Sequence, residues 1–390
     1  MRIPLSCLLL SLVAISMFNA CDNEQVKTWS NCSGARQKVI PLPISFTDTL
    51  NLFLDSMMVM GISTPVDYHE KEQLLYSFDV YNKRLLKYSL DTSQSVIYPE
   101  MLCHVNLKQK VTYFAFIAPD SLLLYAYGSA KLFFYNIRKD TVYKALNFRD
   151  RAGGREAAPP YASPSSPLFF NNHKIVGAGF LLGEKENDHF SGRTICTAID
   201  PASGTPSYYI PYSAVYKEHN WGGSHLRTPY TCYNQRTKKI LLSLPADHQL
   251  YAIDSGWNVK AIDAGSATNV CITSMNLAKG NKKVLDAEVA LEYYLGTPSY
   301  RNIIYDPYQD RYYRLLEMPF LPDKTGKPHL PGKQCYLIAF DHQFKYLGEG
   351  LLPDGLALDN FFITRNGLYF LNLNNKNQNI AQYVQCKANI

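Results

Sequence analysis

The segment YRNIIYDPYQDRYYRLLEMPF, residues 300–320, carries the pattern that decides the fold class. An apolar run that ends at Tyr305 leads into a polar segment containing Asp306 and Pro307, and a second aromatic and aliphatic run begins after Arg311. Apolar runs of strand length joined by a short turn rich in Asp and Pro are typical of a β-hairpin. We therefore predict two antiparallel strands here.

The same hairpin pattern recurs along the chain. It is found at residues 76–90, 121–137, 168–180, 230–244, 300–317 and 361–373. Strands that end in an apolar residue followed by aspartate accompany these hairpins, at Asp91, Asp200, Asp254 and Asp341. A hairpin plus further strands, repeated around a ring, is the sequence pattern of a propeller blade. The sequence predicts an all-β fold, a six-bladed β-propeller.

Three segments differ from the repeat. Residues 149–167 are rich in Gly, Pro, Ser and Arg, which predicts an exposed loop. Residues 284–295 have apolar side chains at helical spacing and are followed by Gly296, which predicts a short helical insertion before the fifth blade. Residues 38–46 contain Pro41 and Pro43 and are expected to form an edge strand that closes the ring against residues 381–386.

The first twenty residues have the composition of an export signal. Arg2 provides a positive start, residues 5–17 form an apolar run, and Ala20 precedes Cys21. The apolar run is shorter than the roughly 20 residues that span a bilayer as a helix. We expect residues 1–20 to be a lipoprotein signal peptide that is removed, with Cys21 then acylated; ordinary secretion after Ala20 is the alternative.

This interpretation divides the chain into three parts. Residues 1–20 are the signal peptide, residues 21–37 are a polar, lipidated tether, and residues 38–390 are the propeller domain. The predicted location is the cell envelope, with the lipid in the outer membrane and the propeller facing the periplasm or the cell surface. The predicted partner is the membrane, reached through the N-terminal lipid.

The remaining composition excludes several classes of protein. The formal net charge is +6, but Lys and Arg form no dense run, so we expect no nucleic-acid partner. The cysteines after Cys21 are scattered and contain no CxxC pair, which indicates neither a disulfide framework nor a zinc site. Most of them are expected to be small buried residues in strands.

The hairpin at residues 300–320 also carries a family resemblance. Its segments Tyr305-Asp306-Pro307-Tyr308 and Tyr312-Tyr313-Arg314, together with the helix before them and the lipoprotein start, resemble a family of exported bacterial lipoproteins. That family is a domain of unknown function with a six-bladed, TolB-like β-propeller. The resemblance implies the fold and the exported location over nearly the whole mature chain, and it implies no catalytic residues.

The loop HNWGGSH, residues 219–225, is the first candidate for ligand binding. It places His219, Trp221 and His225 around a Gly pair. Imidazole nitrogens bind metals, and an indole ring packs against sugars or peptides. Because no carboxylate lies at the spacing of a known metal triad, we expect no metal or cofactor here. We expect a structural or simply exposed loop, and contact of these three residues with a ligand is the alternative.

A second candidate is the arginine group Arg149, Arg151 and Arg155. Three guanidinium groups around a Gly pair could hold an anion such as a phosphate or a uronate, but a solvated charged surface is the favoured interpretation. The segment lacks the spacing and the Lys of a phosphate loop, and the chain contains no GxSxG motif. No residue is therefore predicted to be catalytic.

These observations favour a membrane-tethered binding or scaffold module over an enzyme. The expected ligand is a glycan, a peptide or an envelope protein. The alternative is a propeller enzyme of the hydrolase, lactonase or lyase type, with its site at the mouth of the central channel. Acidic, His or Asn side chains from several blades meeting at that mouth would favour the enzyme.

Overall fold

The computed structural model describes residues 28–33, 38–55, 58–62, 64–91, 93–148, 158–180, 194–216, 219–268, 270–275, 287–320 and 333–390. Within these residues the strands form six blades of antiparallel sheet and one short two-stranded sheet. The prediction of an all-β, six-bladed propeller is confirmed.

The strands are numbered in chain order. Before the blades lie β1 (Ser30–Cys32), β2 (Ile44–Ser45) and β3 (Thr49–Phe53). Blade 1 contains β4 (Val66–His69), β5 (Leu74–Asp79), β6 (Arg84–Ser89) and β7 (Glu100–His104). Blade 2 contains β8 (Tyr113–Ala118), β9 (Ser121–Ala126), β10 (Lys131–Asn136) and β11 (Thr141–Asn147). Blade 3 contains β12 (Phe169–Asn171), β13 (Lys174–Ala178), β14 (Thr194–Ile199) and β15 (Pro206–Pro211).

The second half of the chain follows the same order. Blade 4 contains β16 (Tyr230–Asn234), β17 (Lys239–Ser243), β18 (Gln249–Ile253) and β19 (Val259–Asp263). The insertion between blades 4 and 5 contains β20 (Cys271–Thr273) and helix α1 (Ala287–Gly296). Blade 5 contains β21 (Ser299–Asp306), β22 (Arg311–Glu317), β23 (Cys335–Asp341) and β24 (Tyr346–Leu351). Blade 6 contains β25 (Leu356–Thr364), β26 (Gly367–Asn372) and β27 (Ile380–Ala388). The predicted helix before the fifth blade is therefore present.

The N-terminal strands complete blade 6 and close the ring. β3 pairs with β27 from Phe53 opposite Ile380 to Thr49 opposite Val384, and β2 pairs Ile44 with Ala388. Residues 38–46 do join the last strand through β2, but at Lys387 and Ala388 and not at the expected residues 381–386. The longer pairing, with residues 380–384, comes from β3. Pro41 and Pro43 lack an N–H, so this segment cannot form a continuous ladder of hydrogen bonds.

The first strand of each blade is the inner one. β16, β21, β25 and β4 contact one another in that order across neighbouring blades. We call the end of the ring where these inner strands begin the upper opening, and the end where they finish the lower opening. Loops that connect one blade to the next lie at the upper opening, and the first turn of each blade lies at the lower opening.

Blades pack face to face, which explains the unbroken apolar runs in the sequence. Successive residues of a strand point to opposite faces of its sheet. Leu315 packs in a cluster with Leu368 and Phe370 of blade 6, whereas Leu316 packs in a cluster with Leu242 of blade 4. Because both faces of a blade are covered, the strand shows no alternation of polar and apolar residues.

The aspartates that mark the repeat stabilise turns. Asp200, Asp254 and Asp341 each accept the N–H of the residue two positions later, at 2.7, 2.8 and 2.8 Å. These three turns connect the third strand of a blade to the fourth. Asp306 does the same in the first turn of blade 5, where its Oδ1 accepts the N–H of Tyr308 at 2.9 Å. The repeated Asp is therefore a turn residue, as its type predicts.

Arg314 on β22 joins blade 5 to blade 4. It is fully buried, and its guanidinium donates to the Ser243 hydroxyl at 3.0 Å and to the carbonyls of Asp247 and His248 at 2.7 and 2.9 Å. Its guanidinium carbon also lies 3.7 Å from the centre of the Tyr300 ring. Burial lowers the pKa of Arg314 to about 10, so the side chain stays charged at neutral pH. The RYYR segment is thus a connection between blades.

A disulfide holds the N-terminal segment to the insertion between blades 4 and 5. Cys32 on β1 is bonded to Cys271 on β20, 239 residues later, and the two strands pair Ser30 with Thr273. The expectation of no disulfide framework misses this bond, because nothing in the local sequence relates two such distant cysteines. The other described cysteines are free. Cys103 is half-buried, and four are buried, as expected for small strand residues: Cys196, Cys232, Cys335 and Cys386.

Residues that pack against the propeller occur before the predicted domain boundary. Residues 28–33, expected to be part of the tether, lie against the propeller, where the N–H of Trp29 donates to the Ser274 hydroxyl at 3.0 Å. The rest of the predicted tether and the predicted signal peptide lie outside the described residues. Within the described ranges, no helix has both the length and the apolar character needed to cross a membrane.

Candidate functional site at the upper opening

Four charged side chains meet at the upper opening between blades 5 and 6. Arg301 lies near the start of inner strand β21, and Asp359 lies near the start of inner strand β25. Glu317 is the last residue of β22, and Lys333 comes just before β23. β22 and β23 run antiparallel and pair Glu317 with Cys335. This pairing brings Glu317 and Lys333 to the end of the blade where β21 begins, beside Arg301.

Arg301 is the centre of this group, which we call the upper network. Its Nη1 donates to Glu317 Oε1 at 3.0 Å, and its Nη2 donates to Asp359 Oδ2. One guanidinium therefore connects a carboxylate of its own blade to a carboxylate of the next. Its Nε is buried and has no acceptor among the described residues, which leaves one donor unused. The side chain is 17% exposed.

Asp359 also receives a hydroxyl from the loop between blades 2 and 3. Ser165 donates its Oγ hydrogen to Asp359 Oδ1 at 2.8 Å, and the hydroxyls of Ser165 and Ser163 lie 3.0 Å apart. This contact crosses the ring, since blade 3 lies opposite blade 6. Asp359 is 23% exposed and is the most accessible carboxylate of the upper network.

Lys333 is the second cation of the upper network. Its Nζ donates to the carbonyls of Thr297 and Tyr294 at 2.7 and 3.1 Å and to the Ser299 hydroxyl at 2.9 Å. Burial lowers the pKa of Lys333 to about 8, and Glu317 opposes this shift. All three hydrogens of the ammonium group have acceptors, so Lys333 is charged at neutral pH and holds the C-terminal end of α1 in place.

Glu317 is a charged carboxylate in a buried position. Burial alone would raise its pKa, but Arg301 and Lys333 lower it below the ordinary value. The Tyr294 hydroxyl donates to the same carboxylate, at 2.5 Å from Oε2. Two cations and two carboxylates thus balance one another within the upper network, which satisfies the requirement that buried charges be paired.

Aromatic rings surround the upper network on the other side. The guanidinium of Arg301 lies 5.7 Å from the centre of the buried Tyr230 ring. Tyr161 is 40% exposed, and burial followed by the nearby charge of Asp359 raises its pKa, while Arg301 lowers it. The charges of both groups therefore act on the Tyr161 phenol. Its ring centre is 5.4 Å from that of Tyr127.

A cavity of about 210 Å³ opens beside this group. Its walls include Tyr294, Arg301, Glu317 and Lys333 from the blade 5 side, and residues 353–358 from the start of blade 6. The cavity is small for a binding site, since typical ligand pockets have about 300–1,000 Å³. The upper opening therefore combines a charge-balanced polar wall, an exposed aromatic ring and limited space.

The predicted loop at residues 219–225 does not form one site. His219 stacks on Trp29 with ring centres 4.8 Å apart. Trp221 is 1% exposed and donates its Nε1 hydrogen to the Val215 carbonyl at 3.0 Å, so its ring offers no surface to a ligand. His219 and Trp221 thus pack against the N-terminal segment.

His225 alone reaches the upper network. Its ring stacks on Tyr294 with centres 4.6 Å apart, and burial lowers its pKa, so the imidazole is neutral at physiological pH. The other predicted residues, Cys21, Arg149, Arg151 and Arg155, lie outside the described residues. No group of three or more His, Cys, Asp or Glu side chains in the described ranges could hold a metal ion.

Sequence reasoning did not identify the members of the upper network. Arg301 and Asp359 are 58 residues apart, and each looks like an ordinary polar residue in its own segment. One signal was present: both lie within strands whose neighbouring residues are mostly apolar, SYRNIIYD and LALDNFFIT. A charged residue inside a strand that is buried on both faces needs a partner, which is a reason to search for one.

Comparisons with known proteins agree with the fold. Residues 43–351 match the family model described as a domain of unknown function, DUF4221. A crystal structure of a DUF4221 member from Bacteroides vulgatus ATCC 8482 is 20% identical with a TM-score of 0.72, over 90% of this chain and 99% of that chain. A structure from Bacteroides fragilis NCTC 9343, named as an exported protein, is 10% identical with a TM-score of 0.50, over 90% and 96%. No curated protein matches this chain.

Proposed function

The chain belongs to the DUF4221 family, and we propose that it is a saccharide-binding module held outside the cytoplasm by an N-terminal lipid. The binding site of this proposal is the upper opening, around Arg301, Asp359 and Tyr161. The upper network holds the wall of the site, and the exposed ring of Tyr161 supplies the contact surface.

The position of Tyr161 is the observation that carries the proposal. Its ring is 40% exposed, and it lies four residues before Ser165, whose hydroxyl donates to Asp359. The charges of Asp359 and Arg301 both act on the pKa of its phenol. A saccharide presents an apolar ring face and, at its edges, hydroxyl groups that both donate and accept hydrogen bonds. An aromatic face next to a carboxylate acceptor and a guanidinium donor matches both features.

The pairing of the charges favours binding over catalysis. Both carboxylates of the upper network are held by Arg301, and the ammonium of Lys333 has three acceptors. A general acid or base must be able to exchange a proton with the substrate, so groups held in this way are poorly suited to that role. The upper network instead resembles a rigid wall that presents fixed donors and acceptors.

The enzyme remains the second candidate because charged groups from two inner strands meet at the mouth of the ring and Lys333 has a lowered pKa. Turnover of a bound saccharide or of a lactone would support it. A peptide or an envelope protein at the same opening is a further candidate, which a pull-down from native membranes would reveal.

The disulfide supports the exported location. Disulfides persist in oxidising compartments such as the periplasm and the cell surface, and they are rare in the cytosol. The bond between Cys32 and Cys271 lies 11 residues after Cys21, close to the proposed lipid. Labelling cells with a clickable fatty acid tests the lipid: we expect label on the wild type, and Cys21→Ala should lose both the label and the membrane fraction. Retention of the variant in membranes would exclude this anchor.

A saccharide array followed by titration calorimetry tests the binding site. We expect the mature protein to bind a small set of saccharides on the array. In calorimetry, Tyr161→Ala should weaken binding of these saccharides at least tenfold. Tyr143→Ala is the matched control, because Tyr143 is 55% exposed on the outer strand β11, away from the openings. Equal affinities of the two variants, or no retained saccharide, would contradict the proposal.

A further inference from the structure

We propose that the lower opening holds a second site, for a neutral saccharide, in the groove between blades 6 and 1. The groove has a volume of about 580 Å³, well within the range of ligand pockets. It lies at the opposite end of the ring from the upper network and shares no residue with the 210 Å³ cavity. This site is therefore separate from the proposed upper one.

The groove is built from parts of blade 1, blade 6 and the N-terminal strand that closes the ring. Blade 1 contributes Tyr68, its first turn with Glu70 and Gln73, and the segment at residues 93–97. Blade 6 contributes its first turn, at residues 364–366, and the closing strand contributes residues 48–51. The groove exists because the N-terminal strand closes the ring here, so its walls come from both ends of the chain.

Glu70 is held in place from two blades. Arg365 Nε of blade 6 donates to Glu70 Oε1 at 2.6 Å, and the Tyr308 hydroxyl of blade 5 donates to Glu70 Oε2 at 2.8 Å. Burial raises the pKa of Glu70, but these hydrogen bonds lower it by more. The net shift is downward, so Glu70 is ionised at neutral pH. A carboxylate fixed in this way is a pre-oriented acceptor for ligand hydroxyls.

Arg365 provides the complementary donors. Its side chain is 76% exposed, and only its Nε contacts Glu70. No described residue accepts a hydrogen bond from its two terminal nitrogens, and Arg365 is among the residues that line the groove. A planar guanidinium with both terminal groups available binds neighbouring oxygen atoms well. Glu70 and Arg365 together therefore offer an acceptor and a donor side by side.

The charges of the groove select the class of ligand. Two carboxylates, Asp48 and Glu70, face one cation, Arg365, so the ionisable groups sum to one negative charge. An anion is disfavoured in such a groove. The other polar walls are uncharged amides and hydroxyls, contributed by Gln73, Gln94, Ser93, Ser95 and Asn366. Two aromatic residues, Tyr68 and Tyr369, also line the groove. A neutral ring with several hydroxyl groups fits these features.

Hydrogen–deuterium exchange with mass spectrometry tests the site on the full mature protein. The probes are maltotriose, xylotriose, mannotriose and chitotriose, with trigalacturonate as the charged comparison. We expect at least one neutral probe to slow exchange in residues 68–73, 90–97 and 364–369, and trigalacturonate to bind at least tenfold more weakly. No protection by any neutral probe, or stronger protection by trigalacturonate, would overturn the proposal.

Variants separate the lower site from the upper one. Arg365→Ala and Glu70→Gln should reduce the affinity of the protecting probe at least tenfold. Arg138→Ala is the matched control: Arg138 is 78% exposed and also pairs through Nε with a carboxylate, Asp120, but lies outside the groove. Tyr161→Ala should leave protection at the lower opening unchanged. If Arg365→Ala and Arg138→Ala bind the probe equally, the lower site is wrong, whatever the result at the upper opening.

Discussion

The two openings of the ring hold ion pairs of very different kinds. At the upper opening, Arg301 and Glu317 are 17% and 7% exposed and belong to a balanced group of four charges. At the lower opening, Arg365 and Glu70 are 76% and 27% exposed and line an open groove. The upper pair lies within strands, whereas the lower pair lies in first turns. Burial therefore gives the upper charges a structural role, while the lower charges are paired with each other but remain accessible from solvent.

The largest expected effect follows from removing the central cation of the upper network. Arg301→Ala leaves Glu317 and Asp359 without their shared partner in a buried setting. Breaking a buried pair in this way costs about 3–5 kcal/mol of unfolding free energy. Urea denaturation followed by circular dichroism measures it, with Arg138→Ala as the exposed control. A loss below about 1 kcal/mol would show that the two openings do not differ in this respect.

The disulfide should also stabilise the upper side. Replacing both partners, as in Cys32→Ser with Cys271→Ser, removes a bond that links positions 239 residues apart. We expect a loss of about 2–4 kcal/mol, seen as a lower midpoint of urea unfolding. Wild type treated with a reducing agent should reproduce the variant. An unchanged midpoint under both conditions would show that β1 adds no stability to the ring.

Acid should act more strongly on the upper carboxylate than on the lower one. The pKa values of Glu317 and Glu70 are both lowered from an ordinary value of 4.5. A lowered carboxyl pKa stabilises the fold above the unfolded value, and this stability is lost as the pH falls through the folded value. Below pH 4.5, Glu317→Gln should therefore flatten the loss of stability more than Glu70→Gln. Urea unfolding at several pH values measures this. Equal flattening in the two variants would contradict a stronger interaction of the more buried Glu317 with its cations.

The smallest expected effect is at the lower opening. Arg365→Ala should change the unfolding free energy by less than about 1 kcal/mol, because exposed ion pairs contribute little. The same variant is expected to lose saccharide binding at the groove. Thermal unfolding of Arg365→Ala beside Arg138→Ala checks this point. A large loss of stability in Arg365→Ala alone would mean that the lower pair, too, has a structural role.

The inner three strands of most blades could be predicted from the sequence, but the outer strands could not. In β22, RYYRLLE, every residue after Arg311 is buried, and its four aromatic and aliphatic residues make the strand easy to recognise although Arg314 interrupts them. In the outer strand β11, TVYKALN, most residues are exposed, and the composition resembles that of a loop. The outer strand packs against no further sheet strand, so its residues carry little hydrophobic signal. The fourth strand of each blade had to be inferred from the repeat.

The candidate site was harder to predict than the fold. His225 was identified and does contact the upper network through Tyr294. His219 and Trp221 have the composition of a ligand-binding loop, yet they pack against Trp29 of the N-terminal segment. The sequence cannot show that residues 28–33 return to cover this loop, because the disulfide partner is so distant.

The sequence by itself determined the repeating unit, the number of blades and the turns between strands. These depend on apolar runs and turn residues within short segments, where the chain interacts with itself locally. Only the tertiary structure decided which charges meet. Arg301 and Asp359, Arg365 and Glu70, and Cys32 and Cys271 are each brought together by the packing of separate blades or by closure of the ring. Such pairs depend on the path of the whole chain, and no local pattern records it.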